Sequence, residues 1–138
     1  MRDYILYALL AAFFASLVPI FGKLGLKDVN PTLATAVRAV VMAVFLVGVA
    51  LASGSTGVAE INGRALLLIT LSGLAGALSW LFYFMAIKNG RVPAVIAIDK
   101  TSVALAIFLS WLVLGSRMNL KTAIGALLIV IGAILVSL

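Results

Sequence analysis

Three ionisable side chains in this 138-residue sequence sit where charge is costly. Arg38, Asp99 and Lys100 each lie about two turns inside a long apolar run. At that depth in a bilayer a charge costs roughly 2.5–3.5 kcal/mol, and it persists by facing a partner or a wet cavity. Two arrangements satisfy that requirement. In one, Asp99 and Arg38 form an ion pair that locks helices together, while Lys100 snorkels toward the headgroups. In the other, all three line a translocation pathway, with Asp99 as the one carboxylate within the spans available for proton coupling. Adjacent helical residues point about 100° apart, so Asp99 and Lys100 do not both face Arg38 squarely.

Aromatic residues add a second pattern. In "SWLFYFMAIK", Trp80 and Tyr83 are three apart and Trp80 and Phe84 four apart, which puts them on one helical stripe. Trp80 falls too far from the end of its run for an interfacial belt, where Tyr4, Tyr7 and Trp111 belong. Its indole either fills a bundle core or lines a cavity that takes an organic solute. Pro19, followed by Gly22, removes a backbone bond from the first run and predicts a kink near Ala15–Pro19, as a gate or as a bend that fits neighbours.

The elements that must position these groups are membrane helices. Hydrophobic residues make up 65% of the chain and charged residues 10%, with a mean hydropathy of +1.32. An ordinary soluble domain is about 45–50% apolar and about 25% charged, and a chain this short has too little interior to hide the excess. The net charge of +6 does not indicate nucleic acid, because the bases come in ones and twos between apolar runs and form no polybasic face. The chain has no Cys and no His, hence no disulfide framework, thiol nucleophile or His-based metal site. With no nucleophile–base pair or metal constellation, neither an enzyme nor a cofactor is expected. The first apolar run has one basic residue before it and no clear cleavage site, so it reads as a retained span.

Five runs are long enough to cross the hydrocarbon core: residues 4–22, 31–51, 64–87, 92–114 and 120–138. "KDVNP" places Asn30 as an N-cap and Pro31 in the first turn, "ASGSTGVAEINGR" is a loop, and "KNGRVP" ends the third helix and starts the fourth. Links this short make consecutive helices antiparallel. The expectation is an all-α, polytopic five-helix bundle forming one domain over residues 1–138. Ser72, Gly76 and Ser79 mark a small-residue packing face on the third helix, and Gly125 and Gly132 one on the fifth.

Together "NPTLATAVR", "FMAIKNG", "AIDKTS", "LVLGSR" and "IGALLIVIGAIL", in this order on five spans, resemble the EamA domain of the drug/metabolite transporter superfamily. Nearly the whole chain is covered, and it is similar to the small members with a single five-helix unit rather than two in tandem. One departure stands out: where the family commonly reads Leu-Gly-Glu, this chain has Leu114-Gly115-Ser116. The resemblance implies a multi-pass inner-membrane carrier of a small organic solute, working by alternating access without covalent chemistry. A lone unit must find its second repeat in another molecule, which makes a homodimer the expected partner alongside membrane lipid. Arg38, Asp99 and Lys100 would form its polar core, with Trp80 and Tyr83 lining the cavity. The rival readings are a subunit of a lipid-linked sugar flippase and a membrane assembly protein without flux.

Loop charges bear on orientation. Arg2, Arg64, Arg117 and Lys121 fall on the side of the N-terminus, and Lys23, Lys27, Lys88 and Arg91 on the other. An even split over an odd number of spans predicts dual topology and an antiparallel homodimer.

Overall fold

Five long α-helices account for most of residues 3–138, the part of the chain described by the computed structural model. They are α1 (Asp3–Gly25), α2 (Pro31–Ala52), α3 (Gly63–Asn89), α4 (Val92–Leu114) and α5 (Leu120–Ser137), and there is no strand among the described residues. Each is long and apolar enough to cross a membrane. Even α5, the shortest at 18 residues, spans about 27 Å at 1.5 Å per residue. Large apolar side chains stay uncovered along them, with Phe45 67% and Leu114 79% exposed, as lipid-facing surfaces require.

Local chemistry sets the helix ends. Asn30 caps α2, its Oδ1 accepting from the Thr32 and Leu33 N–H groups at 2.8 and 3.4 Å, and Pro31 follows in the first turn. Asn62 caps α3 through the Ala65 N–H at 2.8 Å, and Asn119 caps α5 through that of Thr122 at 2.9 Å. Gly115 ends α4 in the left-handed region at φ 64°, where a Cβ would be strained. Two boundaries differ from the sequence reading. The first helix runs past Gly22 to Gly25, with Pro19 inside it. The loop after α2 contains a short 3-10 turn over Val58–Glu60, because Asn62 begins the next helix only after one more tight turn.

The helices group into two compact units. One comprises residues up to Lys23 together with Asn89–Leu138, and so holds most of α1 with α4 and α5; the other, Leu24–Lys88, holds α2 and α3. In the first, α4 and α5 pack closely. Arg91, at the start of α4, donates from Nη2 to the Ser137 carbonyl at the end of α5 at 2.6 Å, which makes the pair antiparallel. Lys23, near the end of α1, donates from Nζ to the Gly90 carbonyl just before α4, at 3.4 Å. In the second unit Lys88, at the end of α3, donates from Nζ to the Val29 carbonyl ahead of α2 at 2.6 Å, so these two are antiparallel as well. At three helix ends a basic side chain thus donates to a backbone carbonyl at or just outside a neighbouring helix terminus.

Candidate functional site

Within the second unit, Arg38 and the aromatic stripe of α3 come together. Arg38 lies two turns into α2, and its guanidinium carbon sits 3.5 Å from the centroid of the Trp80 ring and 5.7 Å from that of Phe84. Both distances fall within the ~6 Å over which a cation is attracted by a ring face. The helical spacing on α3 produces the rest of the cluster. Trp80 meets Tyr83 at 5.4 Å and Phe84 at 5.9 Å, both edge to face, and Tyr83 lies 6.4 Å from Phe84. Phe84 is buried, whereas Arg38, Trp80 and Tyr83 are half-buried. The cation is therefore held among rings while remaining reachable. Phe84 was visible in the sequence only as part of the aromatic stripe, and the structure makes it the floor on which Trp80 and Tyr83 rest.

Asp99 and Lys100 belong to the first unit, on α4. Lys100 Nζ lies 3.0 Å from Asp99 Oδ2, the one ion pair among the described residues. Neighbours on a helix meet this way only when the long lysine stem curls back. The Asp99 side chain is 31% and that of Lys100 57% exposed, so the pair sits at the surface of its unit with the acid the more enclosed partner. The Asp99 charge is thus met by its neighbour, while Arg38 takes an aromatic face.

The other singled-out positions are less constrained. Pro19 is buried within α1, and Gly22 is half-buried one turn on. A Cβ built on Gly76, Gly125 or Gly132 would meet no heavy atom within 4 Å, so no close backbone approach within the chain demands glycine there. Ser72 and Ser79, which flank Gly76 on α3, are exposed. Among the described residues no group of three acidic residues could hold a metal ion.

Five membrane-spanning helices carrying a stacked cation and a lysine-paired carboxylate define a polytopic membrane protein with polar groups inside its spans. The chain belongs to the EamA-like transporter family, whose pattern matches residues 3–138. It is 38% identical over 132 residues to a protein from a Sinorhizobium species described as an uncharacterized transporter in the cobO 3′ region, a match that covers 95% of this chain and 94% of the relative. No solved structure matches. The protein is a membrane transporter.

Proposed function

We propose that the protein is a secondary carrier of a small organic anion or zwitterion, acting in the inner membrane by alternating access as a homodimer. The observation that carries the substrate class is the stacking of Arg38 on Trp80. Stacking uses the face of the guanidinium and leaves its in-plane N–H edge, the part that grips a carboxylate or phosphate with two parallel hydrogen bonds. The Trp80–Tyr83 surface beside it suits the organic body of the same solute. Within the first unit Lys100 already offsets Asp99, and within the second the Arg38 charge is the one offered to the solute. Asp99 remains the carboxylate available to exchange a proton during the cycle. No covalent step is involved, and the second repeat comes from a second copy, with the open small-residue faces of α3 and α5 giving helices of the partner room to approach. Pro19 and Gly22 give α1 a place to flex.

Purified protein in liposomes, offered a panel of organic anions, zwitterions and cations with and without a proton gradient, tests this reading. Flux of anions or zwitterions that disappears in Arg38→Gln protein of normal insertion supports it. Flux of cations alone removes the substrate class. Absence of flux for every solute favours an assembly protein.

A further inference from the structure

The hairpin of α4 and α5 borders an open cavity of about 450 Å³ near the C-terminal end of α4, within the size range of small-molecule sites. Its walls change character along the membrane normal. Val103, Ala106 and Ile107 line it from the part of α4 inside the span, one stripe at helical spacing. Ser110, Ser116 and Arg117 line it where α4 gives way to the link. Ser110 and Ser116 share one hydrogen bond between their hydroxyls at 2.9 Å, so one of the two O–H protons is left to donate elsewhere. Among the described residues that line the wall, Arg117 is the one ionisable group and none is an acid. Trp111, 46% exposed, stands beside the polar end in the position of an interfacial belt residue.

A cavity that is apolar at hydrocarbon depth and cationic with hydroxyl donors at the interface matches one class of molecule end for end. We infer that this cavity binds an anionic phospholipid, with the phosphate on Arg117 and the Ser110–Ser116 hydroxyls and an acyl chain along Val103, Ala106 and Ile107. A free phosphate would need only the polar end and would leave the apolar wall unused. A zwitterionic lipid would bring its own cation toward Arg117. The lining differs from the residues placed on the solute pathway above, since neither Arg38 nor Asp99 is part of it.

Native mass spectrometry of the purified protein in dodecyl maltoside, with equal amounts of phosphatidylglycerol and phosphatidylcholine of matched chains, provides the test. One phosphatidylglycerol should be retained about five-fold over phosphatidylcholine, as one added basic contact to an anionic headgroup implies. Arg117→Gln should bring the ratio close to even, and so should Ser116→Glu, which places a carboxylate on the wall. Ala106→Trp should fill the apolar end and weaken retention of both lipids. Arg64→Gln removes a base from the same membrane face but outside the cavity, and should keep the preference. Thermal melting of each variant separates loss of binding from loss of fold. A preference that survives Arg117→Gln, or is absent in the unmodified protein, overturns the site. Stabilisation by inorganic phosphate or glycerol phosphate as large as that by phosphatidylglycerol, and equally dependent on Arg117, overturns the lipid in favour of a free anion.

Discussion

At the scale of single residues, the informative contrast is between the two ways in which this chain keeps charge inside its spans. Arg38 is held by rings, and Asp99 by a lysine next to it. A ring face holds a guanidinium by its plane, so the loss of either partner should be felt by the other. We expect Arg38→Gln and Trp80→Leu to be non-additive in thermal stability, with a coupling of about 1 kcal/mol, the range measured for partly desolvated cation–π pairs. Simple additivity would mean that the stack contributes nothing. Arg38→Lys is not a conservative change here, because an ammonium cannot lie flat on the indole and offer an edge to a carboxylate at once. It should lose most of the transport while inserting normally. Asp99→Asn keeps shape and removes the titratable charge. If Asp99 couples solute to protons, this variant should still exchange solute for solute across liposomes but no longer accumulate it against a proton gradient. Gradient-driven accumulation at the unmodified rate would take Asp99 out of the mechanism.

At the scale of elements, helix ends decide more than helix middles. The middles are largely apolar and face lipid, so polar contacts at the tips, together with the Arg38–Trp80 stack between α2 and α3, set how neighbouring helices register. Asn30 shows the size of one such contact. Asn30→Ala leaves the Thr32 and Leu33 N–H groups of α2 without their acceptor and should cost about 1 kcal/mol in a reversible denaturation in mild detergent, whereas Asn30→Asp should be close to neutral. An unchanged midpoint for the alanine variant would show that water or lipid headgroups replace the cap at no cost. These ends also explain what could be read in the sequence. All five spans were legible because hydrocarbon thickness dictates a run length, and α4 begins and ends where Pro93 and Gly115 require. Asn30 was legible because a proline followed it, while the Asn62 and Asn119 caps lay in links without so sharp a marker. The Arg38–Trp80 stack joins residues 42 positions apart, and a sequence carries no signal for which face of α2 meets α3. The aromatic spacing on α3 was readable because it is local to one helix. The Asp99–Lys100 contact, although between neighbours, ran against the angular separation of adjacent residues and depended on the reach of a flexible lysine.

At the scale of the whole molecule, the question is which way up it lies. Orientation follows the excess of Lys and Arg in short cytoplasmic loops. This chain places Arg2, Arg64, Arg117 and Lys121 on one side, with Arg2 outside the described residues, and Lys23, Lys27, Lys88 and Arg91 on the other. Three bases of the second group also tie helix ends: Lys23 on Gly90, Lys88 on Val29 and Arg91 on Ser137. The balance is therefore not easily altered by losing bases from that face, since each loss would also open a carbonyl. An odd number of spans with no charge bias suits a chain that inserts both ways up, and in the proposed homodimer two such copies would supply the inverted repeats of a central carrier site. The chain contains no cysteine, so single cysteines can be introduced at Ser55, in the link after α2, and at Asn89, at the end of α3, without removing any first. An impermeant thiol reagent applied to intact cells should label a substantial fraction at each position in separate variants. Adding two arginines beside Ser55 should then collapse labelling at one position and raise it at the other, and it should abolish transport unless an oppositely biased variant is co-expressed. Labelling at a single position in the unbiased protein would establish one orientation and leave a parallel dimer, or a different partner chain, to complete the carrier.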